Sequence, residues 1–501
     1  MAVELSASRL LGNYFGTSNL VWAAIIGLIL IYLSVGYSLG GKWADRSPRY
    51  SIFLKILLWA GFSIGLIPII ARPILRFASS AFDALQAASM IGSFLAVLIL
   101  FSIPITLLGT ASPFAVRLAI KHHDQAGRVA GKIYTISTIG SFIGTFLPVL
   151  LLIPWIGTYR TFISISLFLM VIALIGLVVM GKKKQLLMVV WMPILVILLA
   201  YLGLRGYDKQ AEGILFETES SYNYIQVQKV NDYHLLRLNE GQGIHSIYHP
   251  TRLNFNGPWE QVLSAPFFNP APKNLQDIDR IAILGLAAGT SAKQINAVFP
   301  HTVVDGFEID PQIVSVGEDY FGLSTESVNI HIEDARWGIT HNQEKYDVIS
   351  IDAYTPPYIP WHMTTIEFFT TVSDHLHEDG VMVINVARIF ENRDLLNALY
   401  QTISNVFTHV YIIDLPDTLN SMIFATRGNT HVDNLVNNYI ALSANPDTSE
   451  VLLSTLETTY LNLQPAPSVG PILTDDKAPI EWITNSMIVR LLFSEDLQNL
   501  Q

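Results

Sequence analysis

Residues 281–290 read Ile281-Ala-Ile-Leu-Gly285-Leu-Ala-Ala-Gly289-Thr290: an apolar run, two spaced glycines, then a helical pattern over 290–299. Apolar run, tight turn and helix start are the parts of a strand–turn–helix unit. In a doubly wound sheet, ligands bind at such turns, outside the carboxyl ends of the strands.

Further short apolar runs lie at 303–308, 328–332, 347–352, 381–386, 409–414 and 421–426. Helical patterns at 311–320 and 364–378 separate several of them. The alternation predicts a mostly parallel sheet with both faces covered, seven strands in all, the last two an antiparallel pair. That is an α/β class I methyltransferase-like (Rossmann-like) domain. Upstream, Tyr224-Ile-Gln-Val-Gln-Lys-Val230 alternates and 233–238 repeats the habit, predicting a small antiparallel β unit over roughly 214–250.

The first 205 residues are chemically different. They hold 16 Lys/Arg and 4 Asp/Glu, a net +12, whereas 206–501 carry −23, and together they make the overall −11. Only 14% of the chain is charged and mean hydropathy is +0.40, against about 25% charge in soluble domains. Leu20 to Gly41 carries no charge, which is long enough to cross a bilayer. Similar stretches over roughly 51–71, 85–111, 133–156, 161–181 and 185–204 predict a six-span α-helical transmembrane bundle. The segments expected are therefore 1–205 (bundle), 206–255 (β unit), 256–430 (nucleoside-binding α/β domain) and 431–501 (C-terminal extension). Residues 1–16 lack the apolar core of a signal peptide and read as an interfacial segment or a truncated helix end. Gly140 and Gly144 form a small-xxx-small pair, expected to pack within the bundle.

Loop charges address the side of the membrane. Ten Lys/Arg follow the first, third and fifth spans, and six lie on the other side. The positive-inside rule then places residue 206 outside. Absence of cysteine excludes disulfides and thiolate chemistry, and no metal site is expected. An acidic soluble half repels nucleic acid and favours cationic ligands.

Candidate site residues fall after the strands. Gly285, Ala287 and Gly289 form a G-x-A-x-G turn beside a helix N-terminus. Glu308 lies 19 residues beyond Gly289, where an acid can take ribose hydroxyls. Asp310 is expected as a helix cap before Pro311. Asp334 ends the third strand, within reach of a base's exocyclic amine, and Asp352 ends the fourth. Ile309 and Ala335 join the acids they follow as candidate ligand-binding positions.

At these residues the chain resembles the spermidine synthase family of aminopropyltransferases, in particular members with an N-terminal helical membrane domain. The resemblance rests on Glu217-Thr-Glu-Ser-Ser-Tyr222-Asn223-Tyr224, Gly285 to Gly289, Glu308-Ile-Asp310-Pro311, Asp334, Tyr346 to Asp352 and Thr365-Ile-Glu-Phe-Phe369. It extends to Gly36 to Arg46, Gly127 to Tyr134 and Leu473-Thr-Asp475-Asp476-Lys-Ala-Pro479-Ile-Glu481. It implies decarboxylated S-adenosylmethionine as co-substrate, with no prosthetic group, and aminopropyl transfer to a diamine such as putrescine. It implies Asp352 as the catalytic carboxylate and Asn223 and Tyr224 as lining from the β unit. It also suggests a homodimer of the soluble part.

Three departures fall at the amine end. The second aspartate of the family's D-x-x-D is Thr355, its Tyr-His pair is replaced near Trp259-Glu260, and its glutamine near His245. An S-adenosylmethionine-dependent methyltransferase, or a non-catalytic, transport-associated membrane protein that retains the module, are the alternatives. The expected location is the cell membrane, multi-pass. A cytosolic donor puts the soluble part on the cytoplasmic side, against the loop charges.

Overall fold

A helix satisfies every backbone polar group inside its own segment, the form that long uncharged runs require where water is excluded. The computed structural model describes residues 1–16, 18–82, 88–120, 126–204, 207, 211–239, 243–354, 358–388, 392–467 and 469–493. It divides into two units, Met1–Ala211 and Glu212–Gln501.

Among the described residues of the first unit, six helices are long and apolar enough to cross a membrane. They are Val21–Arg46, Tyr50–Arg76, Phe94–Ala119, Ala126–Ile156, Thr158–Val179 and Lys183–Gly203. Close backbone approach holds part of the bundle: a side chain on Gly36 would collide with Thr106 and with the Gly109 backbone. Residues 2–15 are a helix whose Val3, Ala7, Leu10, Leu11, Tyr14 and Phe15 are buried against the long apolar helices. Gly144 backs onto Ala2, but a side chain added at Gly140 would meet no other segment within 4 Å among the described residues. The packing expected of that pair holds for one glycine only, because residues 134–140 are all exposed on their helix.

The second unit contains two sheets. The strands β1 (Ile214–Glu219), β2 (Tyr224–Val230), β3 (Tyr233–Leu238) and β4 (Ser246–Tyr248) form an antiparallel meander in that order. Its alternate residues Ile225, Val227, Leu236 and Leu238 pack against Ala288, Ile313, Val316 and Phe321. The β unit therefore covers the glycine turn and the following helices.

The large sheet contains β5 (Arg280–Leu284), β6 (Val303–Phe307), β7 (Asn329–His331), β8 (Tyr346–Ile351) and β9 (Leu376–Ala387). It is completed by β10 (His409–Asp414), β11 (Asn420–Thr426) and β12 (Leu463–Gln464). The order is β12-β10-β11-β9-β8-β5-β6-β7, with β5 to β9 parallel and β10, β11 and β12 antiparallel additions.

The sheet has eight strands where seven were expected. The extra strand is a two-residue pairing of Leu463 and Gln464 with Ile413 and Ile412, too short to leave a periodic signal. Successive residues of a strand face opposite sides, so Ile281 and Ile283 join one core while Ala282 and Leu284 join the other. With apolar layers on both faces, polar chemistry is left to the strand ends.

Candidate active site

The glycine turn is shaped by its backbone. Gly285 (φ +99°) and Gly289 (φ +88°) occupy the left-handed region that side chains resist. A Cβ at Gly285 would lie 2.6 Å from the carbonyl oxygen of Asp352, and one at Gly289 2.7 Å from Leu323. Ala287 also has positive φ, +49°. Asp352 N–H donates to Leu284 O at 2.9 Å, which fixes the end of β8 beside the end of β5. The turn and Asp352 are thus neighbours.

Glu308 closes the other flank. Its Oε2 accepts the Ala287 amide at 2.9 Å and its Oε1 the Asp310 amide at 3.0 Å. The side chain is 8% exposed, and burial pushes its carboxyl up to about 7. Asp310 adds to that rise, and the amides of Asp310, Ala287 and Ile309 oppose it. Ile309 itself is an exposed apolar residue beside it.

Asp310 is the expected cap, its Oδ1 accepting Gln312 N–H at 3.0 Å. It also reaches the β unit: Oδ2 accepts from Ser220 Oγ at 2.5 Å and Asn223 Nδ2 at 2.9 Å. Asn223 Oδ1 in turn accepts from Asn239 Nδ2 at 2.9 Å. Asn223 is therefore engaged with Asp310 and Asn239. Tyr224 is buried at the start of β2.

Asp334 caps the helix Ala335–His341 through Trp337 N–H at 2.9 Å. Its Oδ2 accepts from His362 Nε2 at 3.2 Å, and that bond holds its carboxyl below the usual range. Backbone bonds Glu308 N–H to His331 O and Glu333 N–H to Glu308 O bring Asp334 alongside Glu308. Ala335 is buried in the core, so its side chain belongs to packing.

Asp352 is partly enclosed, and burial raises its carboxyl to about 6 against a 2.9 Å hydrogen bond from Asn385 Nδ2. Tyr354 lies beneath, donating to Asn385 O at 3.0 Å and accepting from Ala387 N–H at 2.8 Å. Thr355 lies outside the described residues.

The remaining candidates sit on the β-unit side. Trp259 Nε1 donates to His245 O at 3.3 Å. His245 Nε2 is buried without a hydrogen-bond partner among the described residues, and burial with the Arg237 charge lowers the ring to about 4, so it is neutral. Glu260 is 2% exposed and accepts the amides of Phe255 and, at 3.1 Å, Gly257. It shapes its own turn while bordering a cavity of about 390 Å³ that Asn254, Leu415, Thr418 and Ser454 also line.

Four site neighbours escape the sequence reading: Asn385, Tyr354, His362 and Arg336. Asn385 has a signal, a lone amide within the apolar run Val381-Met-Val-Ile-Asn385-Val386, since a buried polar group needs a partner. The others have none, because their contacts cross long stretches of chain.

Residues 276–439 match the Spermine/spermidine synthase domain. The chain is 30% identical over 327 residues to a Bifidobacterium longum (strain NCC 2705) protein named "Probable polyamine aminopropyl transferase", covering 63% of this chain and 72% of that one. It is 23% identical over 451 residues to the polyamine aminopropyltransferase of Oceanobacillus iheyensis (strain DSM 14371), covering 84% and 83%. The crystal structure of a probable spermidine synthase from Corynebacterium glutamicum ATCC 13032 aligns with 53% of this chain and 100% of its own, at a TM-score of 0.39 and 18% identity. With its glycine turn and strand-end acids in this order and these relatives beside it, the chain belongs to the spermidine synthase family of polyamine aminopropyltransferases.

Proposed function

We propose that the protein transfers an aminopropyl group from decarboxylated S-adenosylmethionine to a diamine such as putrescine. The observation that carries this reading is the pairing of Asp352 with the glycine turn: its backbone carbonyl stands against Gly285, while its partly enclosed carboxyl, raised to about 6, is held by Asn385. The glycines let the turn pass close against Asp352 and Leu323, and Glu308 offers a desolvated acceptor beside it.

In this reading Gly285, Ala287 and Gly289 lie along the donor, Glu308 takes the ribose hydroxyls, and Asp334 takes the exocyclic amine of the base. Asp352 faces the acceptor. The neutral amine attacks the methylene carbon next to the sulfonium. A C–N bond forms, the C–S bond breaks with its electron pair going to sulfur, and neutral methylthioadenosine leaves. The new ammonium then sheds a proton. A carboxylate at Asp352 attracts the acceptor's ammonium into place and, as general base, accepts the proton that the amine loses.

His245, neutral at physiological pH, and Trp259 stand on the acceptor side. With threonine at 355 in place of a carboxylate, the acceptor meets one anionic partner fewer, a difference of roughly 1.5–3 kcal/mol for a charged hydrogen bond.

The six apolar helices anchor the enzyme in a membrane, with its soluble unit facing the cytoplasm where the donor is made. Product analysis tests the chemistry: the full chain in detergent, given donor and putrescine, releases methylthioadenosine and spermidine in equal amounts. Methylated product with S-adenosylmethionine, and none with the decarboxylated donor, overturns the reading. A reporter fused after residue 206 tests the side of the membrane, and an exterior signal refutes cytoplasmic placement.

A further inference from the structure

The motif Leu473 to Glu481 lies far from the strand-end acids in sequence, and the sheet gives it no obvious task. Its contacts do. Asp475 stands on a tight turn closed by paired backbone bonds between Thr474 and Lys477. Its carboxylate receives a two-pronged bond from Arg336, Nη1 to Oδ1 at 2.8 Å and Nη2 to Oδ2 at 2.7 Å. Thr365 Oγ1 donates to the same Oδ1 at 2.7 Å. The Asp475 amide donates to Glu367 Oε2 at 3.0 Å, and Ile366 N–H donates to Leu473 O.

Arg336 stands two residues after Asp334, and its Nη1 also donates to the carbonyl of His362 at 2.7 Å. His362 is the residue whose Nε2 lies 3.2 Å from Asp334 Oδ2. One guanidinium thus links the backbone of His362 to the C-terminal turn, and His362 in turn sets the direction of Asp334. A planar fork bound at both carboxylate oxygens fixes orientation as well as distance, which a point charge does not. Trp337 and Trp361, both exposed, stand on the two short elements so joined.

We infer that Asp475 and Arg336 are positioning residues for the donor's base, holding Asp334 through His362 so that its free lone pairs meet the exocyclic amine. The C-terminal motif is then part of the donor site and not only a closing strap on the fold. The inference rests on the assignment of Asp334 to the base proposed above.

The test compares methylthioadenosine with methylthioinosine, which carries an oxo group where the amine was, by calorimetry on the full chain in detergent. Wild type should prefer the amine-bearing ligand. Asp475→Asn should weaken methylthioadenosine about tenfold while changing methylthioinosine little, so the preference shrinks. In turnover, the loss should fall on the donor KM, with kcat at saturating donor and the acceptor KM within about twofold. Arg336→Lys keeps the charge and removes the fork; it should shift the preference the same way by about threefold. If both ligands weaken equally, the contacts serve the fold alone and the inference is overturned. Should Asp475→Asn not fold, the lysine variant decides by the same comparison. Asp334→Asn separates the two claims. If it leaves the preference intact, the assignment of Asp334 fails; if it erases the preference while both other variants retain it, only the relay fails.

Discussion

Asn385 Nδ2 donates to Asp352 Oδ1 at 2.9 Å, while Asn385 Oδ1 accepts from Asn420 Nδ2 at 2.8 Å. The two amides join the ends of β8, β9 and β11, and among the described residues Asp352 Oδ2 takes no further hydrogen bond. Without this bond, burial acts on the carboxyl unopposed. Asn385→Leu should therefore move the acid limb of the kcat/KM profile upward from about 6 and lower turnover at neutral pH about tenfold or more, the worth of one hydrogen bond to a charge. Turnover with an unmoved limb would show that Asn385 does not govern Asp352.

A second expectation concerns pH and stability. The folded carboxyls of Glu308 and Asp352 titrate at about 7 and about 6, above their ordinary 4.5 and 3.8. Raised acids favour the folded state most below their unfolded values, and that contribution disappears as pH rises through 6 and 7. Each costs the ligand-free fold up to about 3 kcal/mol near neutrality or above. Ribose hydroxyls donating to Glu308 favour its charged form and reverse part of that cost. Glu308→Gln should raise the melting temperature of the ligand-free protein at about pH 8 and leave it unchanged at about pH 4. It should also weaken methylthioadenosine. A variant that melts lower at high pH would contradict the buried charge.

How much of this was legible follows from where each interaction lies along the chain. Glu308 and Asp352 each follow a periodic apolar segment, and Gly285 and Gly289 bound the turn between another and its helix, so their neighbourhood follows from the parallel sheet alone. Asp310 could be read as a cap because Pro311 follows it. Its bonds to Ser220 and Asn223 could not, because they span some ninety residues and depend on how the β unit docks. Glu260 shows the converse case: its oxygens accept the amides of its own turn, a local role that no periodic pattern reveals. Nothing in local pattern distinguishes a carboxylate that shapes a turn from one that meets a ligand.

The glycine turn makes a sharp steric prediction. At Gly285 an alanine meets both an unfavourable φ, costing about 1–2 kcal/mol, and a collision with the Asp352 carbonyl. Backbone cannot move aside as a flexible side chain would, so Gly285→Ala should displace the end of β8. Methylthioadenosine binding should disappear and turnover with it. At Gly289 the obstructing group is the Leu323 side chain, so Gly289→Ala should retain weak binding. Equal loss in the two variants, measured by calorimetry, would mean that φ and not the Asp352 contact dominates.

Asp310 carries the last prediction. Its two oxygens hold three donors, Gln312 N–H on the helix and Ser220 and Asn223 on the β unit, and the group is fully buried. Asp310→Ala leaves Asn223 Nδ2 without its acceptor and removes the helix cap, costs of about 1–3 and about 1 kcal/mol. The capping loss is local, whereas the loss at Ser220 and Asn223 loosens the β1–β2 turn from the α/β domain. Asp310→Asn retains an acceptor oxygen for the cap but presents an amide where two donors converge. The alanine variant should therefore expose residues 219–224 to hydrogen exchange and the asparagine variant should do so nearly as much. The helix Pro311–Val316 should remain protected in the asparagine variant only. Uniform exchange across both regions in both variants would mean that Asp310 acts on global stability and not on docking of the β unit.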